Sequence, residues 1–463
     1  MYDTIIIGAG MSGLAAGIRL AYYDQKVCIL ERHNTIGGLN SFYRVNRRDY
    51  DVGLHAVTNF TERGAKRGPL SRILRQLRFK WEDFALAPQK GSKIAFPSAV
   101  LRFDNDVELL TAEVARQFPG QVDSFRSLLS QIVDYDDLNQ AAFEISARDV
   151  LEKTFSEPLL IEMLLCPLMW YGNPREHDMA WGQFCIMFRS IFLEGFARPF
   201  KGVRLILKNL VKRFRSLGGE LKLRRGVQRI LAEDGRVVGV QLENGEQLLA
   251  KRVLSSAGHV ETLRMCEDVS QLRVAEAGQM TFIESISILD CQPEKVGFDD
   301  TIVFYNDSEE FDWCRPPAGE MCDLRTGVIC SPNNYAYGDD DGNLAEGVIR
   351  LTSIASYDRW NELDENGYRR EKLRWYDRSV AACVQFIPDF RHRVIDTDMF
   401  TPTTIRRFTW HDNGAVYGAP DKKLDGTTHL RNLFLCGTDQ GFVGIIGAMM
   451  SGISMANTHC LRD

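Results

Sequence analysis

An apolar run that leads directly into a glycine-rich turn limits the fold of this chain more than any other feature. Residues 3–7, which read Asp-Thr-Ile-Ile-Ile, have the character of a buried strand, and Gly8, Gly10 and Gly13 follow in the spacing G-x-G-x-x-G. The first glycine permits a tight turn, the second lets the backbone approach a pyrophosphate, and the third lets the next helix pack closely on the strand. We therefore predict a strand-turn-helix unit that places a dinucleotide, FAD or NAD, at the helix N-terminus.

The next residues strengthen this prediction and favour one dinucleotide. A helix over 14–22 and a strand over 26–30 lead to Glu31, which lies where an acidic side chain accepts a hydrogen bond from a ribose hydroxyl. Gly37 and Gly38 follow soon after. NAD sites do not need such a pair, and the alternative interpretation is a simple Gly-Gly turn. In flavoproteins the pair lets the chain pass close to the cofactor, and we therefore expect FAD.

Composition excludes several classes of protein. A length of 463 residues indicates two domains or three, and 56 basic against 62 acidic residues give a net charge of -6, which does not suit a nucleic-acid-binding protein. The 11 cysteines include no C-x-x-C pair, so we expect no metal site, no disulfide framework and a reducing, cytoplasmic environment. No export signal is predicted before the first strand.

Two segments raise the question of membrane contact. Residues 63–80 hold seven Arg or Lys and no acid, with an apolar stripe of leucine and isoleucine, which predicts a basic amphipathic helix. Such a helix either covers a core with its solvated face outward, or binds an anionic membrane surface or an acidic carrier protein. Residues 440–461 lack Asp, Glu, Lys and Arg, but their glycines and polar residues indicate a tightly packed helix rather than a membrane span.

The middle of the chain predicts a second domain. Residues 158–200 are rich in Leu, Met, Phe and Trp, which indicates ordinary core helices, or helices that line an apolar cavity or touch a bilayer at one face. A β-meander is predicted by strands 227–232, 237–242 and 247–255 with an Asn-Gly turn, as in FAD folds of the glutathione-reductase type. Further elements are predicted at 281–289, 301–305, 348–354 and, as a long helix, 368–387.

The predicted fold class is therefore α/β, with a Rossmann-like FAD-binding domain and an inserted α+β substrate domain of mixed sheet and helices. We assign residues 1–62, 200–265 and 400–463 to the FAD-binding domain, and residues 63–199 and 266–399 to the substrate domain.

The last third of the chain carries a resemblance to a known family. Residues 433–439 read as a strand running into a polar turn, followed by spaced glycines, and residues 401–408 and 414–418 precede them in a recurring pattern. Together with 198–202 and 255–258, these segments resemble the phytoene desaturase-like flavoproteins, nearest to the carotenoid isomerase and retinol saturase branch. Three departures limit the likeness: Leu39 and Asn40 replace a basic residue, Lys201 replaces a glycine, and the loop 441–444 is shortened.

The resemblance implies a set of FAD contacts, which are Gly8, Gly10, Met11, Ser12, Gly13, Glu31, Arg32, Gly38, Leu39, Asn40, Val227, Ala257, Gly437, Asp439, Gly444 and Ile445. Candidate acid-base residues are His55, His411 and Tyr417, each with a structural role as the alternative.

The resemblance also implies an activity. The expected enzyme is an FAD-dependent oxidoreductase that desaturates, saturates or isomerises C=C bonds in a long apolar chain such as a carotenoid or polyisoprenoid. One alternative is the same chemistry on a fatty acyl or polyene chain held by acyl carrier protein, with residues 63–80 as the docking surface for this carrier or for a membrane. A non-enzymatic alternative is a prenyl-lipid escort protein of the same fold without flavin.

Overall fold

The computed structural model describes residues 1–53, 55–136, 140–267, 275–338 and 342–461. The strands are β1 (Tyr2–Ile7), β2 (Val27–Leu30), β3 (Phe42–Val45), β4 (Arg48–Asp51), β5 (Leu86–Pro88), β6 (Ser92–Ala95), β7 (Val100–Phe103), β8 (Ala197–Pro199), β9 (Glu220–Lys222), β10 (Val227–Glu233), β11 (Arg236–Leu242), β12 (Gln247–Ser255), β13 (Thr281–Leu289), β14 (Ile302–Asn306), β15 (Cys322–Cys330), β16 (Gly347–Ala355), β17 (Val394–Phe400) and β18 (Leu433–Leu435). The α-helices are α1 (Met11–Ala21), α2 (Pro69–Leu77), α3 (Val107–Gln117), α4 (Val122–Val133), α5 (Ala147–Thr154), α6 (Pro158–Gly172), α7 (Trp181–Phe188), α8 (Val203–Ser216), α9 (His259–Arg264), α10 (Tyr357–Asn361), α11 (Glu365–Cys383), α12 (Pro402–Thr409) and α13 (Gly444–Met455).

The first sheet contains the predicted Rossmann-like unit. Strands β1 and β2 pair in parallel and are joined by α1, and β9 continues the sheet beyond β2. Strand β12 serves two purposes, since its first half pairs antiparallel with β11 while its second half runs parallel between β1 and β18. The order β10-β11-β12-β1-β2-β9, with β18 on β12, thus joins the predicted meander directly to the parallel strands.

The second sheet is almost entirely antiparallel. Its order is β17-β13-β16-β15-β14-β6-β7, and β14 pairs in parallel with β6. Helices α6 and α7 pack with this sheet in one buried apolar cluster, to which α3, α4 and α5 also contribute. The two sheets therefore draw on different segments of the chain, and the predicted division into domains stays a prediction.

Most predicted elements are present, but the basic helix is shorter than predicted. Residues 63–80 contain only α2, because Gly68 has a φ of 97°, Pro69 starts the helix, and Arg78 leaves it in the left-handed region. The four apolar residues of α2 are buried against α1 and α13, so α2 packs with the elements of the first sheet although the sequence assigned residues 63–80 to the substrate domain. The seven basic residues are all exposed, so this segment presents charge to solvent and keeps its apolar face covered.

Several strands of the second sheet were absent from the sequence prediction, namely β6, β7, β15 and β17. The predicted helix 368–387 is α11, which begins at Glu365 because Asp364 caps it by accepting a hydrogen bond from the Gly367 N–H, and which ends at Cys383.

The C-terminal helix crosses α1 at very short range. A Cβ placed on Gly452 would lie 2.1 Å from the carbonyl oxygen of Ser12, so only a glycine allows this approach. The uncharged segment 440–461 is thus a packed helix, as predicted, and α13 has only 12 residues. Throughout the described ranges, no helix is both long and apolar enough to cross a membrane.

This crossing yields a paired test within one helix. We expect Gly452→Ala to lower the free energy of unfolding by about 1–3 kcal/mol, because the added methyl group overpacks the contact with Ser12. Gly447→Ala is the matched control, since the nearest atom to its Cβ is 3.5 Å away and alanine favours the helix by up to about 1 kcal/mol. Urea unfolding of both variants measures the difference, and equal stabilities would contradict the overpacking argument.

Candidate functional site

The turn after β1 has the geometry of a phosphate cradle. Gly8 has a φ of +96°, and a Cβ on Gly13 would lie 2.1 Å from the Gly8 carbonyl oxygen, so α1 packs directly on the turn. A Cβ on Gly10 would meet no described atom within 4 Å, because this position faces open space. None of the described side chains caps the N-terminus of α1 at Gly10, which leaves its first N–H groups and the positive end of the helix dipole available for an anion.

Glu31 is tied to this cradle. One carboxylate oxygen accepts a hydrogen bond from the Ala9 N–H at 2.9 Å, and the other accepts one from the His33 N–H at 2.9 Å. These bonds hold the acidic group at the end of β2, beside the turn. Its role toward a ribose stays a prediction.

Arg32 and its neighbours form one end of the cavity. The Arg32 guanidinium lies 3.4 Å from the ring centroid of Trp410 and forms an ion pair of 2.6 Å with Glu243, which follows the end of β11. Val227 and Ala257 line the same cavity from the meander and from the loop after β12. A guanidinium stacked on an indole ring can also stack on an aromatic base, and the predicted place of Arg32 beside the adenine stays a prediction.

The second glycine pair lies against the first. Gly37 and Gly38 both have positive φ, at 109° and 56°, and the Gly37 N–H donates to the Ala9 carbonyl oxygen at 3.0 Å. Leu39 and Asn40 follow in a short 3-10 turn and line the cavity beside them.

A second helix N-terminus also points to this cavity. Val443 precedes α13 without a side-chain cap from any described residue, and Gly444 and Ile445 line the cavity. Gly437 lies over α1, since its Cβ would meet the Ser12 hydroxyl at 2.9 Å, and its N–H donates to the Ser451 hydroxyl at 2.7 Å. Two uncapped helix N-termini therefore border the same cavity, where the positive ends of their dipoles favour an anion.

All predicted site residues except Gly13 and Asp439 line a single cavity, whose empty space is about 1880 Å³ with its open mouth included. Gly13 lies beneath the turn and acts through packing. His55, His411 and Tyr417 all reach this cavity, and the predicted contacts as a set stay a prediction.

Asp439 differs from what we expected, because its carboxylate faces a loop and does not line the cavity. It accepts hydrogen bonds from the His259 N–H at 2.6 Å and the Ala419 N–H at 2.8 Å, and Lys422 lies 3.5 Å away. Burial alone would raise the pKa of Asp439, but Lys422 and His411 hold it below its usual range. Asp439 therefore fixes the loops that surround the site.

The wall opposite the cradle is apolar and largely aromatic. It is formed by Trp170, Tyr171, Phe282, Val328, Val416 and Val443. Trp170 and Tyr171 come from α6, within the apolar segment 158–200 that predicted either a cavity wall or core helices, and the rest of that segment is mostly buried core. The hydroxyl of Tyr417 donates to the Trp170 carbonyl oxygen, and burial raises the pKa of Tyr417, which makes it a weak acid catalyst.

A polar group interrupts this apolar wall, and of its members the sequence singled out only His55. His55 Nε2 lies 3.1 Å from a carboxylate oxygen of Glu284 and 3.0 Å from the Thr352 hydroxyl, and all three residues line the cavity. Arg350 forms a buried ion pair with Glu284. Burial alone would raise the pKa of Glu284, but Arg350 and His55 outweigh it, and the pKa lies below its usual range.

Buried contacts hold the backbone of the segment that carries His55. Asp51 forms a buried ion pair of 2.6 Å with Arg198, and the Tyr335 hydroxyl donates to the His55 carbonyl oxygen at 2.7 Å. Arg350 and Tyr335 belong to the second sheet and the loop after β15, far along the chain. The sequence signal at Glu284 is that it is the one acid in the otherwise uncharged predicted strand 281–289, which does not reveal its partners.

The fold is that of a Rossmann-like domain joined to a second domain, and the cavity extends from the glycine turn to an apolar compartment. The model of the NAD(P)-binding Rossmann-like domain matches residues 6–77. The chain is 22% identical to prolycopene isomerase 2 of an Oncidium hybrid cultivar, over 98% of this chain and 83% of the relative. It is 21% identical to all-trans-retinol 13,14-reductase of Danio rerio, over 100% of this chain and 86% of the relative.

Phytoene desaturase (lycopene-forming) of Pantoea ananas is 26% identical over 57% of this chain and 57% of its own length. These likenesses fit the phytoene desaturase-like family, as the resemblance predicted, and they confirm the prediction of an enzyme of this oxidoreductase type.

Solved structures share the fold. An oxidoreductase from Methanosarcina mazei matches with a TM-score of 0.65 and 15% identity, over 98% of this chain and 100% of that one. Putrescine oxidase bound to putrescine matches with a TM-score of 0.63 and 13% identity, over 100% and 99% of the two chains. RAB GDI from Plasmodium falciparum matches with a TM-score of 0.51 and 11% identity, over 94% and 92%. The predicted fold class is confirmed.

The position of Asp439 generates a pH-dependent prediction. We expect Asp439→Asn to lower the free energy of unfolding at pH 7 by about 3 kcal/mol, because Lys422 loses its buried partner. The folded-state pKa of Asp439 lies below the unfolded value of about 3.9. The stabilisation is therefore complete above that pH and is lost as the pH falls further, so the two proteins converge in stability on acidification.

Denaturant unfolding between pH 7 and pH 3 measures this convergence. Asp421→Asn is the matched control, since Asp421 is exposed and we expect no difference from the wild type. A difference between wild type and Asp439→Asn that grows on acidification would contradict the assignment.

Proposed function

We propose that the protein is an FAD-dependent oxidoreductase that desaturates, saturates or isomerises C=C bonds in a long apolar chain such as a carotenoid or polyisoprenoid. The observation that carries this proposal is the continuity of one cavity, which runs from the glycine cradle to the aromatic wall. A cofactor held at one end and an apolar chain held against the other would meet in this space.

The residues of the cradle fit a dinucleotide with two phosphates. Gly10 leaves open space where a side chain would stand, and two uncapped helix N-termini point to the same region. Glu31 is fixed at the end of β2, and Arg32 stacks on Trp410 at the outer end. When FAD is bound there, it supplies a hydride acceptor or donor.

The opposite wall fits an apolar chain. Trp170 and Phe282 pack with ring centroids 5.2 Å apart, and Val328, Val416 and Val443 extend the hydrocarbon surface on either side of the polar group. Such a wall excludes water from the reacting bond, which is the main requirement for hydride chemistry on an unactivated chain. The names of the relatives, which refer to prolycopene, retinol and phytoene, agree with a polyene substrate.

The polar group in this wall handles protons under the proposal. Glu284 and Thr352 orient His55 through its Nε2 atom, and Arg350 keeps Glu284 ionised inside the protein. His55 therefore becomes our first candidate for the acid-base residue, ahead of His411 and Tyr417.

FAD binding is tested at Gly10, a glycine that the fold itself does not require. We expect the purified wild-type protein to be yellow and to retain FAD, and Gly10→Ala to bind FAD at least about tenfold more weakly, about 1.4 kcal/mol. Because its methyl group would meet no described atom within 4 Å, the apo form should keep its stability. Gly120→Ala, at a similarly open surface position, is the control and should bind FAD normally.

The wild-type FAD affinity also tests the escort alternative. Colourless wild-type protein that cannot be loaded with FAD, yet binds a prenyl lipid, would overturn the proposal in favour of the escort. The likeness to RAB GDI shows a shared fold alone, and the complete glycine cradle of this chain favours FAD.

The reaction is tested by anaerobic incubation of FAD-loaded protein with polyenes, and with acyl chains free or held by acyl carrier protein. We expect a polyene product from either oxidised or reduced FAD, and mass analysis then separates loss or gain of a hydrogen pair from isomerisation. Glu284→Gln should lower kcat at least about tenfold while FAD stays bound, because His55 loses its charged partner.

Turnover only of carrier-bound acyl chains would instead support the second candidate. The specific feature in favour of this candidate is the exposed basic surface of residues 63–80, whose apolar face is covered by α1 and α13. Such a surface suits an acidic protein better than insertion into a bilayer.

A further inference from the structure

A cluster of metal-ligating side chains lies outside the cavity. His177, Asp312 and Cys314 each offer one ligand atom, and these atoms lie within 4.8 Å of one another. The Nδ1 atom of His177 is 2.8 Å from one carboxylate oxygen of Asp312, and the thiol of Cys314 is 3.1 Å from the other. Asp312 thus bridges a nitrogen and a sulfur donor.

Cys314 differs from the other cysteines of the chain. All 11 cysteines lie in described segments and are free thiols, but the other ten are buried and only Cys314 is partly accessible to solvent. The one cysteine that a solvent ion can reach is therefore the one that stands beside a histidine and an aspartate.

The backbone on both sides of the cluster is held in place. His177 has a φ of 65°, a left-handed conformation that is uncommon for this residue type, and its N–H donates to the Trp313 carbonyl oxygen at 2.7 Å. Arg315 binds Glu176 through its backbone N–H and its guanidinium, at 2.8–3.0 Å. These bonds join the loop after α6 to the segment after β14, so the three donors are positioned before any ion arrives.

We propose that His177, Asp312 and Cys314 bind a divalent cation of the zinc class. Nitrogen, oxygen and sulfur donors together suit Zn²⁺ better than Mg²⁺ or Ca²⁺, which prefer oxygen alone. Zinc-ligand bonds of about 2.0–2.3 Å place tetrahedral ligand atoms roughly 3.4 Å apart, and the three donors, which all lie within 4.8 Å of one another, can reach that spacing by small side-chain rotations. Water completes the fourth position, since the site is on the surface.

The site is coupled to the cavity wall through Trp313. Because Asp312 and Cys314 flank it on the solvent side, the Trp313 side chain points inward and is fully buried. Its ring packs edge-on against Trp170 at 5.0 Å and lies 6.1 Å from Phe282, both of which line the cavity. A bound cation would therefore hold together the loop after α6 and the segment after β14, which meet behind the apolar wall. Tryptophan fluorescence would detect its binding.

This arrangement has no signature in the sequence, which led us to expect no metal site. His177 is separated from Asp312 by 135 positions, and the pair Asp312 and Cys314 has an unremarkable spacing. Only the fold brings the donors together.

The proposal is tested on the full-length protein with Zn²⁺ alone, by titration against a chromophoric chelator and by tryptophan fluorescence. We expect one equivalent of Zn²⁺ to bind with a micromolar or lower Kd, and His177→Asn and Cys314→Ser each to weaken it at least about tenfold. Asparagine is chosen because it tolerates the left-handed conformation. His392→Ala, which removes an exposed histidine elsewhere, should change nothing.

Substitution by Co²⁺ gives a second readout that does not depend on flavin or substrate. We expect a thiolate-to-cobalt charge-transfer band that is present in the wild type and in His392→Ala and is lost in Cys314→Ser. Unfolding curves that match the wild type show that the variants remain folded. Absence of the band in the wild type, or binding of Zn²⁺ only at millimolar concentration, would overturn the proposal.

Discussion

The close approach of two helices at positions without side chains is the constraint on which the rest of the site depends. Gly13 lets α1 pack on the turn at Gly8, and Gly452 lets α13 cross α1 at Ser12. Both contacts are closer than any Cβ allows, and together they bring two uncapped helix N-termini to one cavity. Since the positive ends of helix dipoles attract anions, this packing favours phosphate binding under the proposed function without a basic residue after Gly38.

The buried charges have a different role, which is positioning. Moving an ion pair such as Glu284 and Arg350 out of water costs several kcal/mol per ion, which their attraction repays only in part, so this pair is weak evidence for stability. The Glu284–Arg350 pair instead orients a side chain, because Glu284 holds the Nε2 atom of His55. The ion pair of Asp51 and Arg198 holds the nearby backbone. The polar atoms of an otherwise apolar wall are thereby kept in one arrangement.

The sequence predicted the features that depend on neighbouring residues, and it missed those formed by residues that are far apart along the chain. Glycine spacing, the strand before it and the acid after it act within about 30 residues, so Gly8, Gly10 and Glu31 could be placed from the sequence. Glu284 could not, since its partner Arg350 lies on the paired strand β16 and an acid in an apolar strand gives no direction. The position of Asp439 after a strand suggested that its side chain would line the cavity. Hydrogen bonds from the backbone N–H groups of Ala419 and His259 instead turn its carboxylate toward a loop.

The place of β18 and α13 has a consequence for the order in which the protein matures. Strand β18 pairs with β12, and α13 closes the cavity beside α1, although these elements come from the last 31 residues of a chain of 463. A chain emerging from the ribosome presents its glycine turn before the other half of the cradle. Under the proposed function, cofactor capture therefore waits for the synthesis of β18 and α13, and a chain that ended before them would carry the glycine turn without its partner.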